Sequence, residues 1–170
     1  MRWAGPWERV VAEHPASLRD ALSPASIGLN ENLSGREAAV RRSGELLTAG
    51  GRVDPEYTDA MLAALEEFGP YIVLAPGVAL AHARPTTAVH GLTFSVLTLD
   101  PPVAFGHPEN DPVRLVVGMA APDDESHIEA LRQLAELLGD DTRRKRLMAA
   151  TTAQEVLALI GPAEPKEAKT

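Results

Sequence analysis

The chain has 170 residues, 45% hydrophobic and 24% charged, with a formal net charge of -8 and no cysteine. That length suits one domain able to bury a real core, and the missing cysteine excludes disulfides, thiolate metal sites and a cysteine nucleophile. The negative charge argues against a nucleic-acid partner, whose phosphates it would repel, and favours a basic protein partner.

Residues 1–17 are broken by Pro6 and Pro15 and carry Glu8, Arg9 and Glu13, so they read as an extension and lack the apolar core of a signal peptide. The end, PAEPKEAKT over 162–170, reads as a frayed tail, which leaves 18–161 as the domain. No apolar run approaches the ~20 residues that cross a bilayer, and the expected location is the cytoplasm.

In chain order, Ser34 with Glu37 predicts a capping box that opens a helix running to Gly50 and Gly51, with Val40, Leu46 and Leu47 inward. A second helix is expected from Pro55 and Glu56 to Gly69, with Met61, Leu62 and Leu65 at helical spacing. Short strands follow at 71–74 and 78–80. GLTFSVLTL (91–99) and VRLVVGMA (113–120) are the strongest strands, rich in β-branched and apolar residues. Pro122 and Asp123 open a third helix whose Ile128, Leu131, Ala135 and Leu138 are expected to face inward. DTRRKRLMAA and AQEVLALIG make two more. Close strands between helices cannot all be joined by parallel crossovers. The expected class is therefore α/β: one domain, a mixed sheet of about five strands, helices on both faces.

The chemistry rests on five histidines. His14 lies in the extension and His90 just before a strand, and nothing converges on either. His82 follows the strand in FGPYIVLAPGVALAHARP, in a turn of Ala81, Ala83, Arg84 and Pro85, where small neighbours leave an open surface. A neutral imidazole near its ordinary pKa of ~6.5 is a nucleophile at physiological pH, and the forked donors of Arg84 suit phosphate oxygens. His127 sits in the first turn of the helix that Asp123 opens, where the dipole favours an anion. His107, in FGHPENDPV, is explained by turn chemistry. A metal-dependent hydrolase would need His82, His107 and His127 to converge with a carboxylate such as Asp111, and no HxH or HExxH spacing supports it. There is no P-loop, Rossmann glycine pattern or GxSxG.

Taken together, APGVALAHARP, FGHPENDPV and the later helix-start histidine resemble enzyme IIA of the sugar phosphotransferase system, of the mannitol/fructose type (EIIA type-2), within it most closely the ascorbate branch. The resemblance spans about residues 18–160. It implies that His82 accepts a phosphoryl group from the phosphocarrier HPr, through Nε2, and passes it to a cysteine of enzyme IIB. Through IIB the chain would serve the membrane enzyme IIC, without metal or cofactor. His127 matches the second active-site histidine, and Arg84 is a candidate phosphoryl ligand. A regulatory module of the same fold, signalling by phosphorylation of His82 without transport, is the alternative, and a homodimer is left open. The sequence departs from the family at Ala81, where relatives commonly have proline, and at LEEFG, where the mannitol branch has an arginine.

Overall fold

The computed structural model describes residues 18–160, so the extension, with His14, and the tail lie outside the described residues. A 3-10 turn at Pro24–Ser26 leads into β1 (Ile27–Glu31), followed by α1 (Arg36–Ala49) and α2 (Glu56–Phe68). A second 3-10 turn, Gly69–Ile72, precedes β2 (Val73–Ala75), β3 (Val78–His82), β4 (Thr93–Val103) and β5 (Val113–Ala120). Helices α3 (Asp124–Gly139), α4 (Asp141–Ala149) and α5 (Ala153–Ile160) end the described chain.

The five strands form one mixed sheet in the order β1-β4-β5-β3-β2. β1 runs parallel to β4 and β3 parallel to β5, while β4/β5 and β2/β3 are antiparallel. Alternation along the strands splits the core in two. Ala79, Ala81, Val116 and Ala120 pack with Val40, Leu47, Tyr57 and Met61 of α1 and α2. Val78, Leu80, Leu115, Val117 and Met119 pack with Leu134, Leu137, Leu147 and Val156 of α3 to α5. Each fully buried aliphatic side chain of this kind contributes roughly 1.5–3 kcal/mol relative to exposure. The sheet is therefore covered on both faces, as expected.

Several local expectations need correction. The N-cap of α1 is Gly35, which offers no side-chain cap, so Ser34 and Glu37 do not form the capping box. The residues at 69–72 are a 3-10 turn rather than strand, because Gly69 at φ 60 and Pro70 break the extended run. β1 was not anticipated: it is a short edge strand, IGLNE, with Asn30 at φ 53 and no alternation to betray it. Asp123 does cap α3, its side chain accepting from the Ser126 N–H at 2.8 Å. The inner stripe of α3, however, is Ala130, Leu134, Leu137 and Leu138, while Ile128 is 67% exposed.

Two glycines are required by geometry. Gly77, at φ 76, makes the tight turn between β2 and β3. At Gly118 a Cβ would overlap the hydroxyls of Ser43 and Ser95, which bond each other across the α1–sheet contact.

Candidate functional site

His82 is the last residue of β3, not part of a turn after it. Ala81 pairs with Gly118 and His82 with Met119 in the parallel ladder to β5, so an alanine in place of proline sits in regular sheet. Period-two alternation puts His82 on the side of Val78 and Leu80, the face that α3 covers. Because β3 and β5 are parallel, both end at the same edge, and β5 passes directly into the start of α3. That is the crevice beyond the strand ends where open α/β sheets bind ligands.

The first turn of α3 brings His127 to the same place. The two imidazole rings lie 5.4 Å apart between centroids, tilted by 47°. His82 Nδ1 makes one long hydrogen bond, 3.4 Å, to the carbonyl oxygen of Leu80, its N–H donating. That contact fixes the tautomer and leaves the Nε2 lone pair unused. His127 Nδ1 is buried and has no hydrogen-bond partner among the described residues.

His82 is also less open than its small neighbours suggested. Ala79 and Ala81 point to the opposite face and are fully buried, and the ring is partly covered. Burial therefore holds the imidazole below its ordinary pKa, helped by His127 beside it and opposed by the Leu80 carbonyl. The ring is neutral, hence nucleophilic, over a wider range of pH than a solvated histidine would be.

The histidines line an open cleft of about 580 Å³ that also takes in Arg84, Thr86 and, from α2, Glu67. Arg84 is exposed and makes no hydrogen bond or ion pair among the described residues. Glu67, in the segment where an arginine was noted as missing, brings a carboxylate to the wall, so Arg84 is the only fixed cation there among the described residues. The cleft's rim is apolar. Phe68, Tyr71 and Leu74 line it while 49%, 80% and 56% exposed, and Ile128 stands beside His127. These four are the exposed large hydrophobic residues of the described chain. Nothing in the sequence marks Ile128 and Tyr71 as exposed, since helical spacing places Ile128 on the packed stripe and Tyr71 opens an apolar run.

The other histidines are elsewhere. His90 Nε2 lies 3.0 Å from an Asp54 carboxylate oxygen on the surface. His107 belongs to the turn entering β5, at the opposite end of the strands, where Gly77 N–H donates to Asn110. His107 thus cannot join His82 and His127, and the three-histidine hydrolase loses its geometric premise. Among the described residues no group of three or more His, Asp or Glu could hold a metal ion.

A family model described as "Phosphoenolpyruvate-dependent sugar phosphotransferase system, EIIA 2" matches residues 20–161. The chain belongs to this family. It is accordingly a phosphotransferase, an EIIA component acting through a phosphohistidine. It is 43% identical over 145 residues to the "Ascorbate-specific PTS system EIIA component" of Salmonella choleraesuis (strain SC-B67), covering 84% of this chain and 94% of that relative. The fold is similar to IIA mannitol from Escherichia coli, at 32% identity and a TM-score of 0.72, over 82% of this chain and 98% of that one. It is similar also to the Escherichia coli enzyme IIA of mannitol solved in complex with phosphorylated enzyme IIB, at 33% identity and a TM-score of 0.70. That match covers 81% of this chain and 95% of the other. No described helix is long and apolar enough to cross a membrane.

Proposed function

We propose that His82 is the phosphorylated residue of this EIIA, that it is charged by HPr and discharged by a cysteine of enzyme IIB, and that His127 and Arg84 hold the phosphoryl group in transit. The observation that carries this reading is the pair of under-partnered imidazoles in a cleft with an apolar rim. Neutral His82 Nε2 attacks phosphorus as the bond from phosphorus to the donor's histidine nitrogen breaks, and the donor imidazole leaves with that electron pair. His82 keeps its Nδ1 proton throughout. In the second step the IIB thiolate attacks phosphorus and the His82 nitrogen departs, restoring the neutral ring.

Such transfers pass through loose, in-line transition states, helped by positioning and by donors aimed at the equatorial oxygens. Ring N–H of His127 and the guanidinium of Arg84 are the donors of that kind in the cleft. Exposed Phe68, Tyr71, Leu74 and Ile128 give each visiting protein an apolar landing around the reactive ring. The charge of -8 favours a basic donor such as HPr. Likeness to a relative named as an ascorbate-specific EIIA component supports ascorbate as the compound taken up. A related sugar acid or pentitol, the membrane enzyme IIC and the cytoplasm belong to this reading as what the family resemblance implies.

The test uses phosphoenolpyruvate, enzyme I and HPr to charge the chain, followed by an ascorbate-type enzyme IIB, with intact mass of both proteins recorded. One phosphoryl group should leave this chain as one appears on the IIB cysteine. A chain that charges but is never discharged by IIB would be a regulatory module, and the carrier reading would fall.

A further inference from the structure

Tyr57, in the first turn of α2, is 1% exposed, yet its hydroxyl lies under the end of β3. The phenol oxygen is 2.9 Å from the Ala83 amide nitrogen, 2.9 Å from the Ala83 carbonyl oxygen and 3.0 Å from that of Met119. It accepts from the Ala83 N–H and donates its one proton to either carbonyl. Burial pushes the phenol up to about 12, so that proton stays in place at any working pH.

These partners flank His82. Ala83 is the first residue beyond the β3 ladder, and Met119 is the register partner of His82 on β5. Backbone groups just past a strand end need partners once they are covered, and here one phenol takes the position of the next rung. The Ala81–His82 peptide is held by the ladder, and the His82–Ala83 peptide carries the N–H that Tyr57 grips. Both backbone torsions of His82 are thereby fixed, and with them the direction in which its side chain leaves the sheet.

We infer that Tyr57 is a positioning residue: through Ala83 its hydroxyl aims the His82 ring into the cleft beside His127. This rests on His82 being the phosphoryl acceptor. A buried tyrosine needs only one hydrogen-bond partner to be stable, so satisfaction of the phenol alone would not require it to reach both Ala83, next to His82, and Met119, the register partner of His82.

The test compares wild type with Tyr57→Phe, which keeps the ring in the core and removes only the hydroxyl, and with Val156→Ala, destabilised in α5 near the far sheet edge at β1. Two readouts are taken on protein verified as folded. Ring-proton contacts between His82 and His127 are measured by NMR, which needs no partner. Single-turnover charging by phosphorylated HPr gives a maximal rate and a half-saturating concentration. Tyr57→Phe should weaken the ring contact and lower the maximal rate by at least about tenfold, with half-saturation unchanged within about twofold, since misplacing a reacting group costs rate more than encounter. Val156→Ala should leave both readouts at wild-type values.

An unchanged ring contact and rate in Tyr57→Phe would overturn the positioning role. Should wild type itself not be charged, the phosphoryl-acceptor reading fails, and the ring contact still decides whether Tyr57 orients His82. Amide exchange on the unaltered chain gives an independent check: the Ala83 N–H should exchange as slowly as those of core strand β5, and rapid exchange would sink the inference whatever Tyr57→Phe does.

Discussion

The two ends of the β3–β5 strand pair each carry a histidine and use it in opposite ways. At the end where β5 begins, His107 Nδ1 accepts from the amides of Glu109 and Asn110, at 3.1 and 3.0 Å. Beside it the Asp111 carboxylate takes the amides of Phe105, Gly106 and His107. His107 Nδ1 and both Asp111 carboxylate oxygens are thus engaged within the turn, and the Asn110 carbonyl ties it to the β2–β3 hairpin by accepting from the Gly77 N–H. At the end where β3 and β5 finish, His82 has one long contact, His127 Nδ1 has none, and Arg84 is unpaired among the described residues. A satisfied imidazole builds a turn; an unsatisfied one is held ready for a ligand. The backbone around the second pair is nonetheless tied down by Tyr57, so readiness belongs to the side chains and order to the strand beneath them.

That contrast is open to direct attack, beginning with the satisfied end. Asp111→Ala leaves three amides without their acceptor and should lower unfolding free energy by about 3 kcal/mol, since hydrogen bonds to a charged group are each worth more than neutral ones. Phosphoryl transfer by the folded variant should stay at the wild-type rate. Denaturant titration and single-turnover kinetics check the two halves, and a transfer defect without a stability loss would reverse the assignment of the two ends.

At the unsatisfied end, His127→Ala should still accept phosphate but pass it to enzyme IIB about 100-fold more slowly, the scale of losing one transition-state donor. Stopped-flow quench with IIB in excess measures it, and wild-type discharge would remove His127 from the mechanism. Arg84→Ala should slow the same step about tenfold, as loss of one charge-assisted contact to a phosphoryl oxygen does. Rates at two salt concentrations separate that effect from any change in steering, because encounter is salt-sensitive and the bound step is not.

The smallest effect is on pH dependence. Burial holds His82 below the ordinary value of 6.5, so between that value and its folded pKa the unfolded chain binds a proton that the folded chain refuses. Stability from this residue is complete above about pH 6.5 and declines as pH falls through the window. His82→Gln should flatten that part of a stability-versus-pH curve obtained by denaturant titration, and an unchanged slope would mean that the ring is not desolvated.

Much of this was legible in the chain itself, for reasons that differ between elements. β5 was readable end to end, because a strand covered on both faces is apolar nearly throughout, with Arg114 near its start as the one charged position. His82 and His127 could be named from motif resemblance, but their meeting could not, since it depends on β3 running parallel to β5 and on α3 starting at the same edge. The stripe of α3 was misread because Ile128, Leu131, Ala135 and Leu138 and the true set starting at Ala130 fit the helical period about equally well, and only packing against the sheet selects between them. Tyr57 gave no sign of its contacts. A tyrosine at a helix start says nothing of a residue just past a strand end, 26 positions further on.

The claim at the centre is that the under-partnered end of the strands is the reactive one, with His82 as its acceptor. It is tested most directly by charging wild type, His82→Ala and His107→Ala with phosphoenolpyruvate, enzyme I and HPr and following intact mass before and after brief acid treatment. Wild type and His107→Ala should gain one acid-labile phosphoryl group and His82→Ala none. A labile phosphoryl group on His82→Ala, or its loss from a folded His107→Ala, would contradict the account.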